Sequence, residues 1–353
     1  MRGRTALMAL AGAVAVAGYA ARRAHRFPLD GRTALITGGS RGLGLLLARE
    51  LGARGCRVVV CARDGDELHK AVADLRDRGV QAHAVRCDLR DRDQVHAMVA
   101  DAVSRFGGLD IVVNNAGIIH SAPLDSLGEA EFDDAMRTMF WASLYVTQET
   151  RPHLGGGVLV NITSIGGKIS PPHLLTYACA KFAQVGLSEG LDAELARHGI
   201  RVLTVVPGLM RTGSPRRAFY AGRPGLEYAW FSLLAAVPPV SMNSKRAARR
   251  IVNAIRDGRH HLTLTLEARV AMAVHGVAPS LTQTLLRAAN RVLPGPGAEG
   301  PTSGLEAAPR ADRWGMRLLT RLNDRASRDL NQLPGAEHGR VPEPRDSGRH
   351  ARR

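Results

Sequence analysis

Tyr177 and Lys181 stand four residues apart in the stretch TYACAKFAQVGLSEGLDAELARHG (176–199). On a helix this spacing puts both side chains on one face, a turn apart. A phenol with its ordinary pKa near 10 is a poor proton-transfer group at neutral pH. An ammonium beside it favours the phenolate and lowers that value. Such a pair can serve an oxygen on which negative charge develops, as happens when a carbonyl carbon accepts a hydride. A lone Tyr-x3-Lys pair is usually a surface feature, so the rest of the chain must decide.

A second cluster lies near the start. Thr37-Gly38-Gly39-Ser40-Arg41-Gly42-Leu43-Gly44 follows the apolar run TALITG (33–38) and leads into LGLLLARELGARG (43–55). Glycines there allow a sharp turn, close approach to a pyrophosphate and tight helix–sheet packing. The following helix start offers unpaired N–H groups and a favourable dipole to phosphate. Flexible loops also use glycine; the position between strand and helix gives this cluster its weight.

The elements that must hold these groups recur regularly. Apolar runs at 33–38, 57–62, 82–87, 110–115, 157–162, 201–206 and 261–266 alternate with amphipathic stretches. Strands apolar on both faces, separated by helices, predict an α/β fold with a doubly wound parallel sheet of about seven strands, a Rossmann fold. The segments read as 1–26, an N-terminal apolar helix; 27–270, the catalytic domain; 271–294, an amphipathic helical extension; and 295–353, a polar tail expected to be mostly disordered, with a short helix near 313–330. Thr5 to Ala21 is uncharged, with Arg2 and Arg4 before it and Arg22, Arg23 and Arg26 after it. That run is short for a span of about 20 residues. It reads as a membrane anchor with the domain on the cytoplasmic side; a cleaved signal peptide and a peripheral helix are the alternatives, and without an anchor the protein would be cytoplasmic.

The formal charge of +16 invites a nucleic-acid reading, yet the arginines are scattered and no nucleic-acid-binding motif accompanies them. The charge would also suit an anionic membrane surface or ligand. Cys56, Cys61, Cys87 and Cys179 show neither disulfide nor metal-ligand spacing and read as small core residues, so no metal is expected.

The glycine spacing G-x3-G-x-G, together with Asn114-Asn115-Ala116-Gly117, Ser164 followed by Tyr177-x3-Lys181, and Pro207-Gly208 with Thr212, resembles the short-chain dehydrogenase/reductase family over about residues 30–270. The resemblance implies hydride transfer between a nicotinamide dinucleotide and a carbonyl or alcohol carbon. Tyr177 would be the proton donor, Ser164 would hydrogen-bond the substrate oxygen with it, and Lys181 would also hold the nicotinamide ribose. Gly38, Ser40, Arg41, Gly42, Leu43 and Gly44 would line the dinucleotide, with Asn115, Ala116, Gly117, Pro207, Gly208 and Thr212. Asp88 and Leu89 resemble the adenine-contacting pair; an N-cap is the alternative for Asp88. Dimers or tetramers are common in the family, which makes a homo-oligomer an expectation.

Charge decides between the two dinucleotides. A carboxylate at the end of the second strand would accept the ribose 2′-hydroxyl of NAD; this chain has Ala62 there, followed by Arg63. Arg63, with Arg41, suits a 2′-phosphate, so NADP(H) is expected over NAD(H). Asp64 argues the other way but sits one residue late, where it could cap a helix. The family usually carries an asparagine of its proton relay on the helix after N-N-A-G, where this chain has Met139. That departure motivates a rival reading, a non-catalytic NADP(H)-binding sensor or scaffold at the membrane. Between 208 and about 240, Phe219, Tyr220, Leu226, Tyr228, Trp230, Phe231, Leu233 and Leu234 suggest a lid over an apolar, lipid-like substrate, or simply residues that pack the lid.

Overall fold

The computed structural model describes residues 26–238, 240–312 and 316–333. Residues 1–25, which hold the N-terminal apolar run, and residues 334–353 lie outside them. Strand and helix alternate through β1 (Thr33–Thr37), α1 (Gly42–Gly52), β2 (Arg57–Ala62), α2 (Gly65–Asp77), β3 (Ala82–Arg86), α3 (Arg92–Phe106) and β4 (Ile111–Asn114). A short strand β5 (His120–Ser121) precedes α4 (Glu129–Met136), which passes through a π-helical turn, Arg137–Trp141, into α5 (Ala142–Thr150). Then come β6 (Val158–Ile162), α6 (Leu175–Leu195) and β7 (Arg201–Val206). The chain continues through β8 (Leu209–Arg211), β9 (Phe219–Gly222), α7 (Pro224–Ala236), β10 (Ser241–Asn243), α8 (Ser244–Arg256) and β11 (His261–Thr263). It closes with α9 (Leu266–Val277), α10 (Pro279–Asn290), β12 (Glu299–Ser303), α11 (Gly304–Asp312) and α12 (Met316–Asp329).

Seven strands pair in parallel in the order β11-β7-β6-β4-β1-β2-β3, each from one of the apolar runs. Successive side chains point to opposite faces, so every β1 residue is buried. Ile36 packs with Leu47, Leu51, Ile251 and Ile255 on one side, and Leu35 with Met98, Val99 and Val146 on the other. Full burial of each such side chain stabilises the fold by roughly 1.5–3 kcal/mol. Helix ends follow local chemistry. Asp64 caps α2 by accepting from Glu67 N, and Asp91 caps α3; Gly107 in the left-handed region ends α3. Cys56, Cys61 and Cys87 are buried, whereas Cys179 is exposed on α6.

The C-terminal region departs from expectation. The chain from Gly295 was expected to lack regular structure except near 313–330; besides α12 in that stretch, it forms β12 and α11. β12 pairs antiparallel with β9. Ala307, Ala308 and Ala311 of α11 are buried against Tyr220, Tyr228 and Phe231. Small side chains let α11 sit close to these rings, and the polar composition around them concealed that face. The three aromatics therefore pack the lid instead of facing a substrate. No helix among the described residues is long and apolar enough to cross a membrane.

Candidate active site

β1 and β4 are neighbours although β2 and β3 intervene in sequence. At such a switch point the loops diverge and leave a crevice above the strand ends. Thr37 ties its two sides together: its Oγ1 accepts from Asn115 N at 2.9 Å and Ala116 N at 3.1 Å. Asn115 Nδ2 donates to Thr37 O and Gly38 O at 2.9 and 3.2 Å. Gly38 has φ +61, and a Cβ there would lie 3.0 Å from Ala116 Cα; a Cβ on Gly44 would overlap the Gly38 carbonyl. Arg41 gives α1 no side-chain cap; Gly42 N is taken by a carbonyl of the C-terminal segment, which leaves the next amides of the helix start for an anion. A cradle closed to side chains, with helix amides at its edge, fits the pyrophosphate of a dinucleotide.

Ser164 is buried at the end of the β6 segment, and its Oγ accepts from Gly166 N at 3.0 Å. A Cβ on Gly166 would meet both the Tyr177 ring at 3.0 Å and Ser164 Oγ at 3.4 Å, so the two side chains lie side by side; the Tyr177 ring packs with Ile118, Met136, Met139 and Ala180. Lys181 Nζ donates to Ile162 O and Gln184 Oε1, both at 2.8 Å, and lies 5.7 Å from the Tyr177 ring centre. The three nominated side chains are thus gathered at one end of the sheet. Their electrostatics differ from expectation. Burial raises the Tyr177 pKa against the opposing effect of the neighbouring Ser164 hydroxyl. Burial also pushes Lys181 down to about 7. The ammonium was expected to lower the tyrosine; burial instead dominates both groups, and the group that opposes it at Tyr177 is Ser164.

Met139 falls where the relay asparagine was expected. It is fully buried in the π-helical turn, and its Sδ would lie 3.6 Å from a Cβ on Gly117. A polar path runs beside it. Gln184 Oε1 accepts from Lys181 Nζ, and Gln184 Nε2 donates to Ser143 Oγ, both at 2.8 Å; Ser143 donates to Met139 O at 2.7 Å. Sequence reading missed Gln184 and Ser143. Gln184 lies three residues beyond Lys181 on the same helix, a spacing that could have revealed it.

The remaining nominated residues divide. Ile165 N donates to Pro207 O at 2.8 Å, joining the Ser164 turn to the Pro207-Gly208 segment. A Cβ on Gly208 would meet Thr265 Oγ1 at 2.8 Å; Thr212 Oγ1 accepts from Ser214 N at 3.3 Å. Arg63 is exposed, and among the described residues no carboxylate ion-pairs with it. Arg41 instead pairs with Glu67 at 2.8 Å, and Arg217 reaches the same carboxylate at 2.8 Å. Asp88 does not cap α3; it accepts from Arg90, which holds its carboxyl below the usual range. Leu89 is buried beside it. Asn114, outside the nominated set, donates to Asn161 inside the sheet at 2.9 Å, a structural role.

The short chain dehydrogenase family profile matches residues 32–219. A protein of Streptomyces violaceoruber named as a ketoacyl reductase of the granaticin polyketide synthase is 33% identical over 261 residues, 72% of this chain and 90% of that one. A 3-oxoacyl-[acyl-carrier-protein] reductase of Staphylococcus aureus is 34% identical over 183 residues, 51% of this chain and 74% of that one. Among solved structures, an actinorhodin polyketide ketoreductase with NADPH superposes with a TM-score of 0.59 at 31% identity, covering 66% of this chain and 95% of that one. The chain belongs to the short-chain dehydrogenase/reductase family. It is an NAD(P)-dependent oxidoreductase acting on CH–OH or carbonyl groups.

Proposed function

We propose that this protein is an NADPH-dependent reductase of a carbonyl carbon in an apolar, ketoacyl-like substrate. The observation that carries the reading is Tyr177 set beside Ser164, with Lys181 Nζ 5.7 Å from the Tyr177 ring centre and 3.9 Å from a Cβ on Gly117, next to the glycine cradle. The dinucleotide supplies the hydride when bound. Ser164 and Tyr177 then hydrogen-bond the substrate oxygen, and Tyr177 gives it a proton as charge develops there. Burial holds the phenol protonated at neutral pH, the form reduction requires. Lys181, with its pKa near neutrality, can change protonation state near neutral pH and stands 3.9 Å from a Cβ on Gly117.

The preference for NADPH rests on Arg63, exposed and without a paired carboxylate among the described residues, and on Asp64, which is occupied in capping α2. The likeness to ketoacyl reductases supports an acyl-chain ketone as substrate class. Residues 1–26 are proposed to hold the domain at the cytoplasmic face of a membrane. The purified protein should consume NADPH with 3-oxoacyl thioesters or hydrophobic ketones. Tyr177→Phe should lower kcat by about 10²–10⁴-fold while NADPH still binds. A wild type no faster than this variant across a broad ketone panel would favour the non-catalytic binding protein.

A further inference from the structure

The segment after α12 reaches back across the molecule to the glycine loop. Gly42 N donates to Leu330 O at 2.9 Å, so the first free amide of α1 is capped by the C-terminal extension. Asn331 Nδ2 donates to Ser40 O at 3.1 Å and to Glu67 O at 3.3 Å. Arg217 Nε donates to Gln332 O at 2.7 Å. Leu330 is buried in the same core as α1. Gly42 has φ +58, and a Cβ there would stand 2.6 Å from Gln332 Nε2. The glycine at this position thus makes room for the protein's own glutamine.

Two further observations point to a ligand. Gln332 is 5% exposed, its amide is aimed at the start of α1, and its Oε1 has no hydrogen-bond partner among the described residues. An unsatisfied buried amide oxygen is costly and calls for an explanation; rotation about its last torsion can present either end of the amide to an arriving group. Asn331 is held at φ +54, a left-handed conformation that asparagine tolerates better than most residues and that recurs at ligand clamps. The segment also steadies Arg217, which shares Glu67 with Arg41, so two guanidinium groups flank one carboxylate where the loop meets α2.

We infer that Leu330–Gln332 form a wall of the dinucleotide site, with the Gln332 amide meeting the adenosine ribose and with Leu330 and Asn331 as positioning residues. Docking of this segment and binding of the dinucleotide then favour each other, as linkage requires. The inference rests on the cofactor reading above.

The test uses the full-length enzyme, with NADPH affinity from fluorescence titration and hydrogen exchange of residues 323–332 with and without NADPH. NADPH should slow exchange in this segment. Asn331→Ala should weaken NADPH about tenfold, with exchange in the central strands unchanged. Gln332→Ala, which leaves the backbone contacts in place, should weaken it in the same direction. Tighter binding by Asn331→Ala, or faster exchange of the segment with NADPH, would make the segment a displaceable plug and overturn the inference. So would a wild type that binds NADPH beside variants that bind it equally well. A wild type that binds neither NADPH nor NADH would overturn the cofactor reading, and this one with it.

Discussion

Replacing Gln184 with leucine tests how this enzyme works with Met139 at the relay position. Gln184 is fully buried and is the only side chain within hydrogen-bond reach of Lys181 Nζ among the described residues, at 2.8 Å. Gln184→Leu keeps the helix and most of the volume but leaves Nζ only the Ile162 carbonyl. A hydrogen bond to a charged group contributes about 1.5–3 kcal/mol, equivalent to about 1–2 pKa units. The loss disfavours the ammonium, so Lys181 should fall from about 7 by roughly that amount. If turnover needs the charged lysine, kcat at about pH 7.5 should drop roughly tenfold or more and approach wild type below about pH 5.5. The assay is NADPH absorbance across pH at saturating ketone. An unmoved profile, or a loss equal at every pH, would refute the reasoning: Gln184 would then only pack α6 against α5.

Arg63→Ala should weaken NADPH at least tenfold more than NADH, as loss of a charge-assisted contact to the 2′-phosphate requires; equal losses in titrations would remove the cofactor assignment. Lys181 is lowered to about 7 on folding, so between that value and its ordinary 10.5 the unfolded chain binds the extra proton and stability rises with pH. Cys56 and Cys87 are raised from 9.0 to about 12, which reverses the sign above about pH 9; thermal melts should therefore peak between about pH 8 and 9. Lys181→Met should flatten the rise from pH 7 to 8, and an unchanged rise would assign it to other groups. Full-length protein should sediment with membranes while a form beginning at Phe27 stays in the supernatant, and equal partition of the two would remove the anchor.

The central sheet was legible because a strand buried on both faces must be apolar throughout, and all seven runs became its strands. The site was legible for a related reason. Glycines whose Cβ atoms have no room, such as Gly38 and Gly44, and a tyrosine one turn from a lysine are local features, written in adjacent residues. What escaped was non-local. Arg41 carries the charge expected for a 2′-phosphate, but its pairing with Glu67 depends on α2 and on Arg217, 176 positions later in the numbering. The small, polar residues from Gly295 onward gave no hydrophobic periodicity, although alanines at 307, 308 and 311 suffice to seat a helix on aromatic rings.

The aromatic lid shows the same limit from the other side. Tyr220, Tyr228 and Phe231 could be read either as facing a lipid-like substrate or as packing the lid; α11, over 70 residues later, covers them and decides for packing. Trp230 is turned by a polar contact as well, its Nε1 donating to Glu227 Oε2 at 2.8 Å. Glu227 is fully buried and also joins His173 at 2.8 Å and Ser121 at 3.1 Å. This carboxylate thus binds α7 to the loop preceding Tyr177 and to β5. The packing of α7 against this loop and β5 is fixed by a buried polar knot as much as by apolar contact, and its residues are too far apart in the chain for any periodicity to connect them.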